Sequence, residues 1–322
     1  MSDFLLIRLP GRAPQYLKGT FELVPAAKVP TGFVFSDSIH QSLYVFTKEE
    51  TAELSELKFH FSDKEPVVIS PRDYQIEAQA LLNAFPIMNV EKAVYSRVKK
   101  VAFDSSKVVD SFERACEEYP LACCYLVSSE LFGTWLGATP ELLLKAEDGI
   151  LSTMALAGTR KAENDSAWED KELEEHQFVI DAIVDALQRS DCYDIDVEVT
   201  IDKLAGPVKH LYTPITAVGS IESAWGLALD LHPTPAVCGT PRIAALDLIH
   251  SREMHDRELY TGMFGWVSED QVELFVNLRC AKILEKHAYL YVGGGYTSSS
   301  IPDKEWDETE NKARTLIRVL GN

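Results

Sequence analysis

Residues 287–312 read HAYLYVGGGYTSSSIPDKEWDETENK, and the fold hangs on how this run is divided. His287–Val292 predicts a strand, rich in aromatic and β-branched residues. Gly293, Gly294 and Gly295 then predict a loop, because three glycines in a row let backbone N–H groups approach a ligand closely and point at an anion. After Pro302 a helix is expected over Asp303–Leu320, opening with Glu305-x-x-Glu308 and carrying Lys312 one turn later. An anion-ready loop beside paired acids makes sense if a divalent cation sits between them.

Working outward, two strands over Gly262–Val267 and Val272–Lys282 lead into the first one. Strands over Leu121–Ser128, Leu131–Leu136, Glu141–Lys145 and Ile150–Leu156 are likewise joined by short connections, which means antiparallel sheet. Phe4–Leu9, Tyr16–Val24, Thr31–Phe35 and Ser42–Phe46 also read as strands, followed by a helix over Pro71–Ala84. We therefore expect an α+β protein of one domain, with residues 1–85 a scaffold part and 86–322 the catalytic core.

Two helices share a pattern. In the helix over Trp168–Arg189 the apolar stripe is Ile180, Ile183, Val184 and Leu187, continued backward by Leu173 and His176. Glu172 and Glu175 fall along one flank of it. In the last helix Ala313, Leu316, Ile317 and Leu320 form the stripe, and Glu305, Glu308 and Lys312 lie along one flank. Acids in a first turn complement the helix dipole, which explains their position along each helix but not their side. Four carboxylates flanking buried surface are costly without neutralisation. Oxygen ligands with no His/Cys cluster favour Mg²⁺ over zinc or copper.

Composition narrows the ligand. The chain has 322 residues and a formal charge of −19, which argues against nucleic acid or an anionic membrane as partner. An anionic substrate then needs local positive charge from particular Lys and Arg residues or from a metal. No run is long enough to span a bilayer, no signal peptide is evident, and the six cysteines lack C-x-x-C spacing. A cytoplasmic protein with reduced thiols is expected.

Single residues carry weaker signals. Lys92 lies in a strand over Glu91–Arg97, where lysine ordinarily faces solvent. Glu141 follows Pro140 and precedes three leucines, so it is either a solvated strand end or a carboxyl poised in a pocket. Gly158 and Thr159 end a strand in a small-residue turn. His210 lies in Val208–Thr213, and Tyr260 and Arg279 occupy or adjoin the last strands. Arg279, among apolar neighbours, wants a carboxylate. The loop His232–Pro241, with its prolines, reads as a rigid ligand wall.

In chain order the segments K-A-V-Y-S-R, A-T-P-E-L, L-A-G-T-R, K-E-L-E-E-H, V-K-H-L, H-P-T-P-A-V-C-G-T-P, R-E-L-Y-T-G, F-V-N-L-R-C, V-G-G-G and E-W-D-E-T-E-N-K resemble the chorismate-utilising enzymes, from about Glu91 onward. The resemblance implies large antiparallel sheets packed together with helices outside and the site in a cleft. It implies Glu175 and Glu308 as Mg²⁺ ligands, with Glu172 and Glu305 behind them. Tyr260, Arg279 and the backbone of Gly293–Gly295 would clamp the enolpyruvyl carboxylate of chorismate, and Gly158, Thr159, His210 and Lys312 would line the rest. A lysine at position 92 suits activation of water, whereas the ammonia-using branches typically lack it. Lys92 as general base and Glu141 as general acid would then make isochorismate. Ala236 resembles enzymes that stop there; the salicylate synthases, which go on to eliminate pyruvate, resemble a sequence with Thr at that position. Anthranilate or aminodeoxychorismate synthesis, which normally involves a glutaminase subunit not expected here, and a non-catalytic binding subunit are the remaining readings. The product would feed menaquinone or siderophore synthesis.

Overall fold

The computed structural model describes residues 2–321 except Ala27, His40, Asp191, Gly206 and Pro207, and except the side chains of Thr159, Lys171 and Ala205. Its strands are β1 (Asp3–Arg8), β2 (Gln15–Val24), β3 (Gly32–Ser36), β4 (Leu43–Thr51), β5 (Lys92–Ala102), β6 (Cys123–Ser129), β7 (Gly133–Thr139), β8 (Leu142–Glu147), β9 (Ile150–Lys161), β10 (Tyr193–Val197), β11 (Ile201–Ala205), β12 (Val208–Val218), β13 (Gly239–Thr240), β14 (Met263–Val267), β15 (Gln271–Val276), β16 (Cys280–Ile283) and β17 (His287–Thr297). The helices are α1 (Pro71–Met88), α2 (Val108–Glu118), α3 (Asp170–Arg189), α4 (Ile221–Leu231), α5 (Arg242–Arg252) and α6 (Pro302–Leu320). Sequence chemistry sets their ends. Ser70 caps α1 by accepting from Asp73 N, Pro302 begins α6, and Gly321 closes α6 in the left-handed conformation.

The antiparallel pairings run as one ribbon. From β13 it passes through β5, β17, β16, β7, β6, β1, β2, β4, β3, β14, β15, β8 and β9 to β12, on whose far side lie β10 and β11. The ribbon doubles over into two leaves. Aromatic residues from both, among them Phe35, Tyr125, Trp135, Phe264 and Tyr291, fill the space between them. Phe35 stacks on Phe264 at 5.0 Å, and Tyr125 meets Phe264 edge-on at 4.8 Å.

Helices bury the outer faces. One leaf is covered by α2 and α6 through Phe112 and Leu316, the other by α3 and α4 through Ile183 and Trp225. Tyr74 of α1 and Leu248 of α5 close the β5/β17 end. This is the expected α+β architecture.

The chain crosses between leaves at Thr139–Glu141, from β7 to β8, and again at Asn277–Arg279, from β15 to β16. The crossings are stitched together: Ala138 N donates to Arg279 O (3.1 Å) and Val276 N to Glu141 O (3.0 Å). Two residues singled out by sequence therefore sit at the seam.

The structure corrects several expectations. Gly293–Gly295 are not a loop; they lie within β17, in register with Ser96, Tyr95 and Val94 of β5. The strand expected over Val272–Lys282 breaks at the crossing, where Arg279 has φ +48°. The strand expected over Leu131–Leu136 shifts to Gly133–Thr139. The small-residue turn at Gly158 is a bulge inside β9. There His210 faces two residues, because Lys209 pairs with Arg160 while Leu211 pairs with Ala157. Gly158 supplies the left-handed φ of +65° that this bulge requires. Leu173 is exposed, and the stripe of α3 runs through Val179, Ile183 and Ala186. The N-terminal strands are laced into the core, β1 onto β6 and β3 onto β14. Among the described residues no helix is long and apolar enough to cross a membrane, and the six cysteines are all free thiols.

Candidate active site

A cleft opens at the seam, lined by Lys92, Glu141, Gly158, Glu175, His210, Arg279, Gly295, Glu308 and Lys312, with apolar walls from Pro140, Leu156, Ala157, Ala236 and Leu278. It encloses about 510 Å³ of non-atom space, open mouth included. Residues from β5, β9, β12, β17, α3, α6 and both crossings thus converge.

Lys92 opens β5 and is only 2% exposed, against the usual behaviour of a strand lysine. β13 and β17 pair with it at Thr240 and Thr297, and neighbours on both sides remove it from solvent. Glu141 is 4% exposed. Burial raises its pKa to about 7, with Arg279, Lys92, Lys203 and Lys312 pulling the other way. An apolar seam destabilises the carboxylate more than the surrounding cations stabilise it.

His210 donates from Nδ1 to Gly158 O (2.8 Å), which leaves Nε2 to accept from the Arg279 guanidinium (3.3 Å). Burial, then Arg279, lowers its pKa to about 3, so it is a neutral ring at any ordinary pH. Burial also lowers the Arg279 pKa, opposed by Tyr260, Glu308 and Glu141. The carboxylate expected beside Arg279 is present as field, while its direct partner is His210.

The glycines work by absence. A Cβ on Gly295 would lie 2.9 Å from Glu175 Oε1 and 3.2 Å from Lys92 Cε; one on Gly294 would lie 3.1 Å from Glu305 Oε2; one on Gly293, 2.9 Å from Tyr260 Oη. Lys312 donates to Gly293 O (2.8 Å) and Ser96 N donates to Glu253. The polar groups of that pair therefore turn away from each other, and by alternation those of Gly295, which lines the cleft, turn away from β5 as well. The three glycines expected in a loop thus lie on a strand.

Of the other expected residues, Tyr260 is buried behind Gly293, with its ring 5.7 Å from that of Tyr291. Glu172 packs its Cβ toward Gly158. Glu172, Glu305, Tyr260, Gly293 and Gly294 stand behind the cleft wall. Thr159 belongs to β9, and its side chain is outside the described residues. Sequence reading missed Lys203, which faces His210 across the β11/β12 ladder and whose charge acts on both Glu141 and His210. Nothing in its strand distinguishes it from a solvated lysine.

Glu308 pairs with Lys312 at 2.6 Å, and among the described residues no three His, Cys, Asp or Glu side chains are drawn together into a ready ligand set. Carboxylates repel one another without a cation between them. The donors still fit a hard, oxygen-preferring ion. Oxygens of Glu172, Glu175 and Glu305 are sealed from solvent, and those of Glu175 and Glu305 occupy the cradle that Cβ atoms on Gly295 and Gly294 would fill.

The chain is similar to known proteins along most of its length. The chain is 34% identical over 265 residues to the isochorismate synthase EntC of Escherichia coli, covering 77% of this chain and 66% of EntC. Two solved structures superpose over 99% of the chain. One, from Bacillus anthracis, is assigned as the 2,3-dihydroxybenzoate-specific isochorismate synthase DhbC (TM-score 0.80, 25% identity, 96% of that chain). The other is the menaquinone-specific isochorismate synthase MenF of Escherichia coli (TM-score 0.79, 20% identity, 88% of that chain). The family model for chorismate-binding enzymes matches residues 33–321, and the chain belongs to that family.

Proposed function

We propose that the protein is an isochorismate synthase, adding water to C2 of chorismate as the C4 hydroxyl leaves. The observation that carries this reading is the pairing, in one cleft, of a buried lysine with a buried carboxyl whose pKa is raised to about 7. Such a carboxyl holds a proton near neutrality and can give it to a departing hydroxyl, while an amine in the same cleft can take one from water. Lys92 is the base and Glu141 the acid. One water enters and one leaves, so the ring exchanges the position of its hydroxyl with no net change in composition.

Arg279 and the outward backbone of Gly295 hold the enolpyruvyl carboxylate, assisted by Lys312, with the neutral His210 orienting Arg279. Glu175 and Glu308, with Glu172 and Glu305 behind them, would hold Mg²⁺. When bound, the ion supplies positive charge that offsets and orients the ring carboxylate. The apolar walls from Leu156, Ala157 and Leu278 limit bulk water around the reacting face. Of the two solved relatives, one is named 2,3-dihydroxybenzoate-specific and the other menaquinone-specific; we place this protein in menaquinone synthesis.

The test is incubation of the purified protein with chorismate, with and without Mg²⁺, and chromatography of the products. Mg²⁺-dependent isochorismate in equilibrium with chorismate is expected. Salicylate with pyruvate, or bound but unconverted chorismate, would overturn the assignment.

A further inference from the structure

Beyond the cleft, a second hollow lies between α6 and the β9/β12 ladder. Glu308, Asn311, Arg314 and Arg318 are spaced three, three and four residues apart, so they form one stripe of α6. The inner end of the stripe lines the cleft, and the outer end lines a separate hollow with Lys161, Glu163 and Val208. Lys161 pairs with Val208 on the ladder that, further in, brings Gly158 to His210. Lys161, Arg314 and Arg318 are exposed, and among the described residues none of the three is held in an ion pair. Glu163 is the one acid in this wall. Elsewhere the chain is strongly acidic, with a formal charge of −19, and its field repels anions. Three cations against one acid around this hollow invert that field locally.

We propose that Lys161, Arg314 and Arg318 form an outer anion station that draws a small dicarboxylate toward the cleft where Lys312 and Arg279 lie. The station rests on the proposed chorismate reading, since a dianion is the substrate it suits. It contributes attraction at the mouth and touches no reacting atom.

The test compares wild type with the triple variant K161Q/R314Q/R318Q in chorismate turnover across a range of NaCl. At about 10 mM salt, where the Debye length is about 30 Å, kcat/KM should fall roughly fivefold in the variant with kcat unchanged; at about 1 M, where it is about 3 Å, the two proteins should agree within roughly twofold. Equal kcat/KM and equal salt slopes would overturn the station and leave the isochorismate synthase reading intact. Equilibrium dialysis of chorismate separates the opposite failure. If wild type binds chorismate more tightly than the variant at low salt but does not convert it, the station stands and the assigned reaction falls. If neither protein binds chorismate, both are overturned.

Discussion

Glu141 is where sequence and physics meet most sharply. A glutamate after Pro140 is ordinarily a strand end in water, but here the chain is crossing between leaves and the carboxyl has no solvent to turn to. Its pKa of about 7 in the folded protein, against an ordinary 4.5, has two consequences. For catalysis, a general acid must be protonated, so kcat/KM should fall as pH rises through about 7, a limb readable from a pH–rate profile. Glu141→Gln and Lys92→Ala should each lose about 10²- to 10⁴-fold in turnover with unchanged circular dichroism. For stability, the folded state binds more protons than the unfolded between pH 4.5 and 7. Stability therefore declines as pH rises through that window, by roughly 3 kcal/mol at full ionisation. Glu141→Gln should thus raise Tm over wild type at pH 8 and show little gain at pH 4. A variant that melts alike with wild type at both pH values would mean the carboxyl is not held protonated by the fold.

At the scale of elements, the three glycines show what a sequence hides. The close approach they allow was legible; their conformation was not, because glycine permits a loop and only pairing with β5 makes them a strand edge. The apolar flanks of α3 and α6 gave the four glutamates their side because a helix period is local. Helices α4 and α5 were passed over behind the proline-rich segment, and Lys203 acquires significance only through its register opposite His210. Arg279 stood out as a charge among apolar residues, but its left-handed backbone belongs to a crossing that no local pattern announces. Two substitutions separate site from scaffold. Gly295→Ala puts a methyl into the space of Glu175 Oε1 and Lys92 Cε; more than tenfold loss of turnover is expected with Tm changed by only a few degrees. Gly137→Ala meets the Tyr125 ring at 2.4 Å inside the core, so it should depress Tm strongly, as calorimetry would show.

Over the whole molecule, the cleft lies between two leaves, each with its own helical cover. Glu172 and Glu175 come from α3, which packs on β9 in one leaf; Glu305 and Glu308 come from α6, which packs on β17 in the other. If these glutamates hold the cation as proposed, its ligands would come from both covers and binding would tie the two leaves together. A ligand that binds only the folded state stabilises it by mass action, and here the unfolded chain would separate the two glutamate pairs by more than a hundred residues. Mg²⁺ at a concentration of about 100 Kd should therefore add about 2.7 kcal/mol, visible as a rise of a few degrees in Tm without substrate, reversed by EDTA. Glu308→Gln and Glu175→Gln should each remove most of that rise, though they lie on different helices. If only one of the two mattered, the ion would belong to a single helix, and the coupling of the leaves through it would be wrong.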